Sequence, residues 1–64
     1  MKLNKIEVLK GKKNYWYWKI VWCNGKIGIV SEMYSSKSKA KKSAIRLYSY
    51  LPTKTWELKV EGDK

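Results

Sequence analysis

Few side chains in this sequence are equipped for chemistry, and most of those that are carry positive charge. His is absent, which removes the commonest general base and the commonest zinc ligand. The single cysteine, Cys23, excludes an internal disulfide and a multi-thiolate metal site. Set between Trp22 and Asn24-Gly25, it reads as a passive strand residue rather than a nucleophile. The acids Glu7, Glu32, Glu57, Glu61 and Asp63 show no spacing that pairs two carboxylates for proton transfer. Glu32 is expected to fix the strand-to-helix turn through a hydrogen bond or a lysine pair. With no phosphate-cradling glycine loop and no Cys-His or Ser-His arrangement, the expectation is a non-enzymatic protein without cofactor, metal or small-molecule substrate.

The cations are more informative. Lys39, Lys42 and Arg46 fall at i, i+3 and i+7, opposite Ala40, Ala44 and Leu47, with Lys41 to one side and Tyr50 flanking the stripe. A lysine run is usually a solvated helix face. Such a face usually mixes signs to gain i,i+4 pairs, yet Ser35 to Leu51 contains no acid. Lys37 and Lys39 also sit in the first turn, where the helix dipole disfavours cations by about 0.3–1 kcal/mol each. No glutamate completes a capping box with Ser35 or Ser36. Free N–H groups with Ser35, Ser36, Lys37 and Lys39 make that end a candidate phosphate or polyanion site, extended by Lys42 and Arg46. A second candidate patch is Tyr15, Tyr17, Lys19 and Lys26. It resembles the aromatic-plus-basic faces that stack bases, but Val21 and Val30 beside it favour burial against another protein subunit.

The elements that position these residues follow from alternation and turn signals. Leu3 to Leu9 alternates as a short strand, and Lys10 to Asn14 is a polar, glycine-containing hairpin connection. Tyr15 to Cys23, YWYWKIVWC, is aromatic and β-branched, hence strand. Asn24-Gly25 predicts a two-residue type I′ turn, and Lys26 to Glu32 the return strand. That register sets Cys23 against Lys26 and Trp22 against Ile27. It gives a core face of Trp16, Trp18, Ile20, Trp22, Ile27 and Ile29, and an open face of Tyr15, Tyr17, Lys19, Val21, Cys23, Lys26 and Val30. A helix is predicted from Lys37 to Leu51, ended by Pro52, burying Ala40, Ala44, Leu47, Tyr48 and Leu51. Thr55 to Glu61 alternates as a last strand. The fold expected is α+β: a three-stranded antiparallel meander packed by one helix, then a C-terminal strand (βββαβ). That strand either closes its own sheet or is exchanged in a dimer.

The segment Trp18-Lys19-Ile20, Asn24-Gly25 and Ser31-Glu32-Met33-Tyr34-Ser35-Ser36-Lys37 through Ala40 resembles the YegP-like family, small domains of bacteria, archaea and phages. With its strands the match covers roughly Ile6 to Tyr48. The resemblance implies a βββα-type domain found as tandem repeats or, in single copy, as homodimers; one copy here implies a homodimer. Where the family helix tends to continue with Asn-Gly-Ile, this sequence has Lys42-Ser43-Ala44-Ile45, and its helix is far more basic. No activity comes with the family.

Composition frames the rest. Sixty-four residues allow one domain, 1–64, whose small size leaves about 60 % of the unfolded surface to be buried. A net charge of +10 and a pI near 9.9 attract polyanions, while 44 % hydrophobic residues, with four Trp and five Tyr, exclude a disordered basic tail. The N-terminus MKLNKIEVLKGKK holds no apolar run of signal-peptide length, and no stretch approaches a membrane span. A soluble, cytoplasmic protein with no membrane partner is expected. Only Arg46 is an arginine, so nonspecific phosphate contact is expected rather than base reading. Two functions follow as expectations. One is a basic module that contacts nucleic acid or another polyanion. The other is a protein-interaction module, such as a phage- or mobile-element-encoded inhibitor docking on the acidic surface of a host nuclease or polymerase.

Overall fold

The structure, a computed structural model, describes residues 3–61 of the 64-residue chain; Asp63 lies outside the described residues. The order is β1 (Asn4–Lys10), β2 (Trp16–Val21), β3 (Ile27–Val30), α1 (Lys37–Tyr48) and β4 (Trp56–Val60), with a 3-10 turn over Lys12–Asn14. The fold is α+β: one four-stranded mixed sheet, in the order β3-β2-β1-β4, and one helix. β1 with β2, and β2 with β3, are antiparallel, as the meander requires. Within the chain β4 takes the edge beside β1 in parallel, Ile6 beside Leu58 and Val8 beside Val60.

Alternation loads one sheet face. Ile6, Val8, Ile20 and Trp56 are buried there against Ala40 and Ala44 of α1, and Trp16, Trp18, Leu58, Val60, Leu47, Tyr48 and Leu51 pack around them. Methyl groups at 40 and 44 let the helix approach the sheet closely, and the partly buried indoles of Trp16 and Trp18 pack against this core. The helix ends at Tyr48, three residues before the predicted Leu51. Tyr50 and Leu51 donate instead to Leu47 and Tyr48 in i→i+3 turns ahead of Pro52, a residue that disfavours helical backbone just before it.

The β2–β3 turn departs from expectation. Asn24 keeps a negative φ and only Gly25 goes positive, at 87°. Gly25 N–H donates to the Trp22 carbonyl and Trp22 N–H to the Lys26 carbonyl, each at 2.8 Å. The Asn24 side-chain oxygen accepts from Lys26 N–H at 3.0 Å. This is a three-residue loop closed by a left-handed glycine, and Asn24 serves it with its side chain rather than its backbone. Val21 therefore opposes Ile27, and the expected Trp22–Ile27 and Cys23–Lys26 pairs do not form. An irregularity farther along restores Lys19 opposite Val30.

Burial of β3 departs further. Ile27 and Ile29, predicted on the core face, are 57 % and 55 % exposed, and Trp22 is 40 % exposed. Twelve helical residues cover β1, β2 and β4, and β3 lies beyond the helix. Trp22 turns its indole over β3 instead: a Cβ at Gly28 would run into it, so the ring needs glycine there. Its other contact is Trp56, edge to face at 5.7 Å.

Candidate functional site

The N-terminal turn of α1 forms as its serines predict. Ser36 is the N-cap, its hydroxyl accepting from Lys39 N–H at 3.3 Å. Ser35 accepts from the Lys39 ammonium at 3.2 Å. Both hydroxyls are thus engaged within the turn. Lys37 leaves the stripe: its ammonium lies 5.4 Å above the Trp16 ring, a cation–π contact on the sheet side.

Lys39, Lys42 and Arg46 share the outward face, each exposed. The side chains of Lys42 and Arg46 have no ion-pair or hydrogen-bond partner among the described residues. With Tyr34 and Ser43 they line a shallow cleft of about 340 Å³. Tyr34 was absent from the expected site. It is fixed by two backbone hydrogen bonds with Trp16, at 2.7 and 2.8 Å, that carry the chain from β3 toward the helix. Its hydroxyl lies 2.9 Å from Ser43 Oγ, which also accepts from the Trp18 indole N–H at 3.0 Å. A sheet residue, a loop residue and a helix residue thereby meet on one hydroxyl. The signal available in sequence was Ser43 itself, a hydroxyl directly before buried Ala44, where an aliphatic residue fits the pattern better.

Of the second expected patch, Tyr17 and Lys19 share the open face of β2, and Lys26 leaves it. Tyr15 is 45 % exposed and Tyr17 half-buried, but Lys19 is half-buried and paired with Glu7 at 3.8 Å. Lys26 lies opposite Trp22 at the turn, one register position off the Val21–Ile27 pair and so on the other side of the ladder. Elsewhere on this open face Lys5 meets Glu57 at 3.9 Å. The larger cleft beside β4, about 500 Å³, is lined by Glu7, Glu61 and Lys59 along with apolar strand residues, and so offers an anion mixed charge. Glu61 accepts from Lys10 N–H at 2.6 Å.

The role expected of Glu32 falls to its neighbour. Ser31 Oγ accepts from Trp18 N–H and donates to the Glu32 carbonyl, each at 2.9 Å. The Glu32 carboxylate has no ion pair or hydrogen bond among the described residues. Cys23 is exposed, in a cleft that Lys5, Trp22 and Glu57 also line. Among the described residues no three metal-binding side chains converge, and no helix is long and apolar enough to cross a membrane. The chain matches no family model, no curated protein and no solved structure.

Proposed function

We propose that this chain is a non-enzymatic basic binding module, a YegP-like domain acting as a cytoplasmic homodimer, that contacts the phosphates of nucleic acid or another polyanion through Lys39, Lys42 and Arg46. The observation that carries the reading is the unpartnered pair Lys42 and Arg46, one turn apart, beside the Tyr34 hydroxyl. Like charges at i,i+4 cost a few tenths of a kcal/mol in an isolated helix, and here no acid offsets them. A bound phosphate offsets them directly, accepting charge-assisted hydrogen bonds from Lys and Arg. The contacts would carry no base information, so affinity at physiological salt is expected at about 10⁻⁴–10⁻⁶ M, independent of sequence and falling steeply with added salt.

The test is titration of a mixed-sequence duplex against the protein at low and high salt, and against the triple variant Lys39→Glu/Lys42→Glu/Arg46→Glu. The variant is expected to lose binding while its far-UV circular dichroism stays native. Equal binding by the variant sinks the assignment.

A second reading draws on Ile45, 43 % exposed beside Arg46 on the helix, and on Tyr50, 81 % exposed two residues past the helix end. Apolar anchors near a cationic stripe suit an acidic protein surface, as an inhibitor of a host nuclease or polymerase would need. Pull-down after nuclease treatment separates the two. A stoichiometric protein that survives treatment favours the protein partner; loss of every partner favours nucleic acid.

A further inference from the structure

The part of the sheet that the helix leaves bare carries charge of one sign on its helix side. Trp22 and Lys26 are cross-strand partners, because Trp22 N–H donates to the Lys26 carbonyl. The Trp22 indole rests on Gly28 and meets Trp56 of the core, so Trp22, Lys26 and Gly28 stand on the helix side. Val30 opposes Lys19 on the open side, which leaves Ile29 on the helix side as well. Since α1 lies over β1, β2 and β4, Trp22 and Ile29 stay exposed on a strip beside it. The wall of that strip is the helix flank fixed by Ser43, whose hydroxyl meets Trp18 of β2 and Tyr34, which follows β3 in the chain. Lys42 and Arg46 lie on this flank, around the cleft they share with Tyr34 and Ser43. Lys26 thus stands at the turn end of the strip and Lys42 and Arg46 along its wall. None of the three side chains has an ion pair or hydrogen bond among the described residues. The acids lie elsewhere. Alternation sends Glu7, Glu32 and Glu57 to the open side, and Glu61 is tied to Lys10 N–H at the far end of β1.

We propose that this strip takes a single-stranded polynucleotide, with bases stacked on Trp22 and packed over Ile29 while Lys26, Lys42 and Arg46 hold phosphates on either side. A single strand alternates negative charge with flat apolar faces, and the strip sets exposed apolar surface between cations with no acid to repel the chain. A duplex keeps its bases stacked inside and uses only the cations. Stacking tolerates any base, so binding stays independent of sequence. The inference rests on the polyanion reading above and names its ligand.

The experiment is a fluorescence-anisotropy titration of the full chain with an oligothymidylate of about twelve nucleotides and with a duplex of the same length, at matched salt. Duplex DNA carries the denser charge, so phosphate contact alone favours the duplex. The strip instead predicts tighter binding of the oligothymidylate, by about fivefold or more. Trp22→Leu is expected to weaken the single strand about tenfold and to leave the duplex unchanged. Because Trp22 also touches Trp56, a second pair of variants keeps the test independent of the core. Ile29→Glu and Ile27→Glu add the same charge at exposed positions on opposite faces. The first is expected to weaken oligothymidylate binding at least about fivefold, the second less than about twofold. Equal effects of the two, or a preference for the duplex, overturn the strip. The polyanion reading then stands on its own if reversal of Lys39, Lys42 and Arg46 still abolishes binding. No binding of either ligand at low salt removes both readings and leaves the acidic protein partner.

Discussion

The helix face and the open sheet face are both rich in lysine, and they differ in what the lysines meet. On the sheet, strand pairing sets acids beside cations: Glu57 by Lys5, Glu7 between Lys19 and Lys59. Cross-strand neighbours of opposite charge satisfy each other, so the face is internally settled. On the helix, Lys42 and Arg46 have only each other and the neutral Tyr34–Ser43 pair. A count of cations cannot tell the two faces apart. What separates them is the position of the few acids, and every acid among the described residues lies on or next to the sheet strands.

That contrast can be broken by mutation. The largest effect belongs to the helix: reversing Lys39, Lys42 and Arg46 together is expected to weaken duplex binding by on the order of 100-fold or more at low salt, measured by fluorescence anisotropy. The matched control reverses Lys5, Lys19 and Lys59 to Glu, an equal change in net charge on the other face. Its expected loss is about tenfold, from the weakened long-range field alone; parity between the two triples would erase the distinction. Next comes Ser43→Ala. It strands the Trp18 indole N–H and the Tyr34 hydroxyl and should cost about 1–3 kcal/mol in urea unfolding. The smallest effect is Glu7→Gln, which releases Lys19 on the sheet face and should raise duplex affinity about twofold; a larger gain would mean that the sheet face also binds.

Much of this architecture was legible beforehand, because the signals are local. Period-two alternation located β1, β2 and β4, and the serines at 35 and 36 with alanines at 40 and 44 set the start and buried face of α1. The cationic stripe followed from the same helical period. What escaped was decided by partners distant in sequence. Asn24-Gly25 permits more than one hairpin loop, and the choice moved Ile27 and Lys26 across the ladder. Ile27 and Ile29 look like core in any alternating pattern; Ile27 is exposed because that shift sets it opposite Val21 on the open face, and Ile29 because β3 lies beyond the one short helix. Tyr34 entered the site through its bridge to Trp16, a contact across the sheet that no spacing announces.

The shared hydroxyl of Ser43 has a mechanical consequence. The helix meets the sheet through two alanine methyls at 40 and 44, a smooth contact, while Leu47 and Tyr48 hold it only toward its C-terminal end. Bonds from the Trp18 indole and the Tyr34 phenol, both gripping Ser43, act as a pin against rotation of the helix about its long axis. One residue of slip turns the helix by about 100°, enough to carry its charged ridge off the outward side. With the pin in place the ridge keeps a fixed bearing before any ligand arrives, and little of the binding free energy goes into aiming it.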